Sequence, residues 1–230
     1  MMKKLLLIAL VSGLLVSPAL AVNTLQLYIE GGTYDTATDT WTLDNVSPFT
    51  LWVMGNVGAV GTIEDVKLAF AYDSTESGSI AFNPITTSLL ADPSTPSAPT
   101  WYASGSDDAP VMGDGKKLGP HGIYQSGNSW QVYSLGDFNL TDSPIGDYNP
   151  GACPDGVCSY PSTGQINAYS ITISGYSWVH FDAYGMLDGK SVFAPFSHDA
   201  EDPPPPTPEP ATLLLLGSGL IGLAALRRRA

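Results

Sequence analysis

Val66-Lys67-Leu68-Ala69-Phe70-Ala71-Tyr72 alternates large apolar side chains at even positions with smaller or polar ones at odd positions. That is the period of a β-strand with one face packed on a core. The same grammar recurs on either side. Leu25, Leu27 and Ile29 alternate with Gln26, Tyr28 and Glu30, and further short runs span Trp41 to Leu43, Phe49 to Met54, Ser79 to Phe82, Trp130 to Leu135, Tyr169 to Ser174, Trp178 to Tyr184 and Ser191 to Phe193. Gly, Pro, Asn and Asp punctuate them, and no convincing 3.6-residue apolar period appears between Val22 and Ser197. The expectation is one all-β domain, residues 22–197: an antiparallel β-sandwich of about nine strands.

The links carry their own signals. Asp35-Thr36-Ala37-Thr38-Asp39, between Tyr34 and Trp41, reads as a polar hairpin tip. Pro84 to Asp114 and Phe138 to Thr163 are rich in Pro, Ser, Gly and Asp and read as surface loops. Within the second, Cys153 and Cys158 bracket Pro154-Asp155-Gly156-Val157, which points to a local disulfide clipping a turn in an oxidising compartment. The pair lacks the two-residue spacing of a redox motif. Without clustered histidines it is also a poor zinc site.

Both ends depart from the body. Lys3 and Lys4, an apolar run from Leu5 to Val16, and Ala19-Leu20-Ala21 have the three-part build of a secretory signal, residues 1–21, with a small-x-small cleavage site and a mature start near Val22. After Phe196 an acidic stretch and the run Pro203 to Pro206 read as an extended linker, residues 198–207. Ala211 to Leu226 is 16 residues without a charge, a helix of about 24 Å against a hydrocarbon core of roughly 30 Å. Arg227, Arg228 and Arg229 complete that span by snorkelling, and they hold the carboxy terminus on the cytoplasmic side, so the body faces outward. The expected architecture therefore adds an amino-terminal signal helix and a carboxy-terminal transmembrane helix to the sandwich.

The formal charge of −13 understates the body, which holds four lysines, no arginine and 21 of the 22 carboxylates, a balance of −17. Such a surface repels phosphate backbones, which argues against nucleic acid as a partner.

Pro208-Glu209-Pro210, the apolar segment and the arginine cluster together resemble the PEP-CTERM sorting signal of Gram-negative bacteria, residues 208–230. The resemblance implies recognition by exosortase, a membrane-embedded cysteine protease, and removal of the tail close to the tripeptide. It further implies an inner-membrane intermediate held by the tail, a final place at the cell surface or in the extracellular matrix, and a host that secretes exopolysaccharide. The body is similar to the choice-of-anchor N proteins along Leu25-Gln26-Leu27-Tyr28-Ile29-Glu30-Gly31, Pro48-Phe49-Thr50-Leu51-Trp52-Val53, His121-Gly122-Ile123-Tyr124, Val179-His180-Phe181-Asp182-Ala183-Tyr184-Gly185 and Phe193-Ala194-Pro195-Phe196-Ser197-His198-Asp199. That family is defined by its anchoring, so the likeness implies a location and no chemistry.

Catalytic signatures are sparse. The body has neither a G-x-S-x-G elbow nor an HExxH pair. His180 and Asp182 share a strand face with Trp178 and Tyr184, which reads as an exposed sheet face with incidental titratable groups. The expectation is a non-catalytic protein. The alternative is a secreted carbohydrate-active enzyme using paired carboxylates, which 21 acidic residues leave open. Aromatic rings suit sugars, and Trp101, Tyr102 and Trp178 are the expected exposed contacts for exopolysaccharide, with Trp41, Trp52, Phe70 and Phe181 expected inside. No cofactor is expected. Asp107, Asp108 and Asp114, and a second group of Asp137, Asp142 and Asp147, nonetheless place oxygen ligands on loops where calcium could bind, although neither has the 12-residue loop pattern with a closing glutamate.

Overall fold

The computed structural model describes residues 23–35, 40–43, 47–86, 95–119, 122–147, 162–194 and the backbone of 199–202. The signal segment with Ala19 and Ala21, the pair Cys153 and Cys158, and the tail with Pro208, Glu209, Pro210, Arg227, Arg228 and Arg229 lie outside the described residues. Among the described residues no helix is long and apolar enough to cross a membrane, and the expected span at 211–226 is not among them.

The alternating runs do become strands. In chain order they are β1 (Leu25–Ile29), β2 (Thr33–Asp35), β3 (Thr40–Thr42), β4 (Phe49–Gly55), β5 (Ile63–Asp73), β6 (Ser79–Thr86), β7 (Thr100–Ser106), β8 (Asn128–Phe138), β9 (Ser143–Ile145), β10 (Ser162–Ser174), β11 (Val179–Leu187), β12 (Lys190–Phe193) and β13 (Asp199–Asp202). One short helical turn, α1 (Val57–Val60), joins β4 to β5. The smaller sheet has the order β1-β4-β10-β6, with β9 on β10. The larger has the order β2-β3-β13-β11-β5-β8-β7, with β12 on β11. All pairings are antiparallel except β13 with β3, which is parallel.

The apolar halves of the alternating strands meet in one core. Leu25, Leu27 and Ile29 from β1, Leu51 and Val53 from β4, and Tyr169 and Ile171 from β10 face Val66, Leu68 and Phe70 from β5 and Val179, Phe181 and Ala183 from β11. Aromatic contacts bridge the layers: Phe49 lies 6.2 Å from Phe181, and Phe82 lies 5.0 Å from Tyr133. Phe70 and Phe181 are buried as expected. Trp41 and Trp52 are only partly so, because Tyr28, Trp41, Trp52 and Tyr34 form a chain of edge-on rings where β1 meets the β2–β3 hairpin.

Three features differ from the sequence reading. First, the described residues alone hold 13 strands against the expected nine or so: the stretch expected as a loop from Pro84 to Asp114 contains β7, and the one from Phe138 to Thr163 contains β9 and the start of β10. Second, the expected linker at 198–207 begins with a strand, since β13 pairs with β11 on one side and β3 on the other. The paired part of the domain therefore extends to Asp202. Third, the outer face of β11 and β5 is not exposed. Met112 and Leu118 pack there with Ala69, Val132 and Tyr184, joined by the partly buried Ala109, Tyr124 and Trp130. The described parts of the segment between β7 and β8 thus overlay the larger sheet as a second, smaller core.

Candidate functional site

β7 is the last strand of the larger sheet, and its register with β8 breaks between Trp101 and Ala103. Trp101 opposes Tyr133 and Ala103 opposes Val132, so Tyr102 is the extra residue of a β-bulge. A bulge re-aims the side chain it inserts. Here Tyr102 swings over β5, where the Lys67 ammonium lies 4.4 Å from its ring centroid. Lys67 opposes Tyr184 of β11, whose ring is 5.9 Å from the same ammonium. Two exposed rings thus follow one another along β7, Trp101 at 63% and Tyr102 at 51% of their surface: Trp101 lies in register with Tyr133, and Tyr102 rests on a buried cation.

That cation is held from below. Lys67 Nζ donates to the Asp65 carboxylate and, at 3.4 Å, to the Asp65 carbonyl oxygen. Asp65 occupies the left-handed region at φ 52°, a conformation that is uncommon for a residue with a side chain. It is pinned there by its own N–H, which donates to Asp137 Oδ1 at 2.8 Å. Burial, with Tyr102, Asp65 and Asp182 adding charge nearby, pushes the Tyr184 phenol well above its ordinary range. Tyr184 is therefore neutral at ordinary pH.

The third expected contact, Trp178, is not part of this surface. It is only 4% exposed, on the alternation that also carries His180, Asp182 and Tyr184, the face that the β7–β8 segment overlays. His180 and Asp182 are buried too, at 2% and 3%, which corrects the expected open patch. His180 Nε2 lies 3.4 Å from Asp182 Oδ2, and the Tyr124 hydroxyl donates to the same carboxylate oxygen. Tyr124 belongs to the overlying segment, so this contact fastens that segment to the sheet. A histidine and carboxylate covered in this way are not presented to a large substrate.

The carboxylates expected to gather around calcium are individually engaged. Asp107 Oδ1 accepts the Gly127 N–H at 3.0 Å. Asp108 pairs with Lys117 Nζ at 2.6 Å, and Asp114 with Lys116 Nζ at 2.9 Å. Their ionisation reflects it: the Lys117 hydrogen bond lowers the Asp108 carboxyl, and hydrogen bonds from Ser191 and Lys116 hold Asp114 well below the usual carboxylate range. Among the described residues no group of three His, Cys, Asp or Glu side chains could hold a metal ion. The sequence reading missed Lys67 as the support of Tyr102, although a lone charge inside an apolar alternating run was its signal. Nothing in the local pattern pointed to Tyr124.

Comparison with known proteins adds one firm match. Residues 206–229 match the PEP-CTERM protein-sorting motif. That motif implies an exported protein processed by exosortase at the membrane. No curated protein sequence matches the chain. Among solved structures, similarity is found to a family GH18 chitinase from Chromobacterium violaceum, with 10% identity and a TM-score of 0.29, covering 79% of this chain and 20% of the chitinase. AvmM, which catalyses macrocyclization in alchivemycin A biosynthesis, aligns with 9% identity and a TM-score of 0.33, covering 81% of this chain and 93% of its own. The carboxy-terminal domain of the Streptococcus agalactiae AgI/II polypeptide BspA aligns with 9% identity and a TM-score of 0.22, covering 74% of this chain and 47% of that one. This chain thus spans only a fifth of the chitinase, and the low TM-scores leave function to be argued from the residues themselves.

Proposed function

We propose that the protein is a non-catalytic module of the cell surface or extracellular matrix, delivered by exosortase through its tail, and that it contacts exopolysaccharide through Trp101 and Tyr102. The observation that carries this reading is the sorting motif at 206–229, which follows the last paired strand, Asp199–Asp202, after three residues. A body so placed is carried to the outer side of the membrane with its sandwich next to the processing site. The likeness to the choice-of-anchor N proteins agrees with a protein whose attachment, more than any reaction, defines its role. The tail holds it at the inner membrane until processing, and the surface or matrix is its destination.

The glycan contact rests on the rings. Exposed Trp and Tyr side chains offer apolar faces with polar edges, and the cation beneath Tyr102 fixes one of them without covering it. A body at −17 favours a neutral or cationic sugar chain over an acidic one. The alternative of a secreted carbohydrate-active enzyme using paired carboxylates has no specific observation in its favour. The test is co-sedimentation of the exported protein with exopolysaccharide from the producing cells. A Trp101→Ala, Tyr102→Ala double variant is expected to lose most of the retained protein, because both apolar faces offered to the sugar are removed. Equal retention of the variant would remove the glycan contact from the account and leave sorting untouched.

A further inference from the structure

Asparagine followed two residues later by serine or threonine is the acceptor pattern for an asparagine-linked glycan, provided the middle residue is not proline. The chain holds two such triplets, Asn45-Val46-Ser47 and Asn139-Leu140-Thr141. Asn45 and Val46 lie outside the described residues. The second triplet follows β8 directly, in the short link to β9. Exposure alternates along it: Asp137, Asn139 and Thr141 are exposed, Phe138 is fully buried and Leu140 partly so. That is the period of an extended chain, in which residues two apart share a face. The backbone is held in this form from inside the sandwich. Gln165 Oε1 accepts the Asn139 N–H at 3.0 Å and the Leu140 N–H at 3.1 Å, and Gln165, itself buried, is steadied by donating through Nε2 to Asn167 Oδ1 at 2.8 Å. Phe138 anchors the same stretch in the main core. Both hydrogen bonds to Gln165 engage backbone groups of the link, so neither occupies the Asn139 carboxamide, and its side of the link faces water.

We propose that Asn139 is a glycosylation site, receiving a glycan from a polyprenyl diphosphate-linked oligosaccharide on the outer side of the membrane. The inference uses export, which the sorting motif implies, and is independent of the contact assigned to Trp101 and Tyr102. The step is a substitution at the first carbon of the transferred sugar. Asn139 Nδ2 forms a bond to that carbon, the bond from the carbon to the diphosphate oxygen breaks, polyprenyl diphosphate leaves, and the Nδ2 proton passes to a basic group of the transferase. Asp137 adds a third handle. It stands two residues before the asparagine on the same exposed face, where its carboxylate offers a charge-assisted contact to a basic group of that enzyme. Asn45 has Leu43 in the equivalent position, which makes Asn139 the better acceptor of the two. A glycan at Asn139 projects into water and displaces no packed side chain, so the folded body carries it without rearrangement.

The experiment is peptide mass spectrometry on the exported protein from its producing cells, with fragmentation of the peptide that carries Asn139. The expected result is a shift of that peptide by whole sugar residues, borne on Asn139. Asn139→Gln and Thr141→Ala are expected to abolish the shift, and Thr141→Ser to retain it. Asp137→Asn keeps an oxygen acceptor for the Asp65 N–H but removes the charge, and is expected to lose most of the shift. Asn45→Gln should leave it unchanged. Should a variant fail to fold or to leave the cell, the fragment spectrum of the natural protein still decides the matter. An Asn139 peptide with the bare mass of its sequence, or sugar that persists on the Asn139→Gln protein at an undiminished level, would overturn the proposal. A full shift in Asp137→Asn would overturn the part given to the carboxylate. The terminal peptides report processing separately: a glycosylated Asn139 on a protein with an unprocessed tail would support this inference while contradicting the sorting account.

Discussion

Tyr169 shows how one residue records the packing around it. It lies on β10 in the core, fully buried, its ring 6.5 Å from that of Phe82, and its hydroxyl accepts a hydrogen bond from Asn167 Nδ2 at 3.1 Å. Burial pushes its phenol up to about 12, against about 10 in an unfolded chain. The folded state thus keeps the proton that the unfolded state gives up. The resulting stability is complete below pH 10 and is lost as pH rises from about 10 to 12, at roughly 1.4 kcal/mol per unit of separation. Denaturant titration between pH 9 and 12 is expected to show a steeper alkaline decline for the natural protein than for Tyr169→Phe, and parallel curves would contradict this assignment. At the same scale, the inward aromatics Phe70 and Phe181 were legible because their strands alternate cleanly. Trp178 was misread because alternation assigns a residue to a face and says nothing of what covers that face.

At the scale of elements, legibility followed length and contrast. β1, β5 and β11 alternate strongly and were visible in the sequence. β7 sets two consecutive aromatics, Trp101 and Tyr102, before the small residues Ala103 to Ser106, and β9 is three residues with a central proline, so neither shows a clean alternation. The overlying segment is held by contacts distant in sequence, such as Tyr124 with Asp182 and Asp114 with Ser191, which no local window registers. β13 was hidden by composition, since Asp199-Ala200-Glu201-Asp202 reads as a solvated linker. Its place in the sheet is nevertheless internal: Ala200 opposes Phe181 on one side and Trp41 on the other. Proline in a doubly paired strand removes a ladder hydrogen bond and is poorly tolerated. Ala200→Pro is therefore expected to destabilise the protein by about 1–3 kcal/mol, the cost of leaving a ladder carbonyl unpaired, read as a melting temperature lower by roughly 2–12 °C. An unchanged melting temperature would return 198–207 to the status of a plain linker.

Across the whole molecule, architecture and address are linked by the short stretch after β13. The sandwich presents an acidic surface without arginine and an aromatic pair at one edge, while the sorting motif at 206–229 begins four residues after the last paired strand. Exosortase must therefore act close to a folded domain, with only Pro203 to Thr207 between Asp202 and the Pro208-Glu209-Pro210 tripeptide. The all-β class and the sorting tail could both be read from the sequence, because strand period and a three-part terminal signature are local patterns. The partner could not, since it depends on which rings the folded sheet leaves exposed. The most direct measurement of the central claim is intact mass and fractionation of the protein from its producing cells, with and without exosortase. The account predicts a mature form running from about Val22 to a terminus near Pro208, released from the membrane fraction and lost when the protease is absent. A mature form that keeps Arg227, Arg228 and Arg229 in the membrane fraction while the protease is present would contradict it.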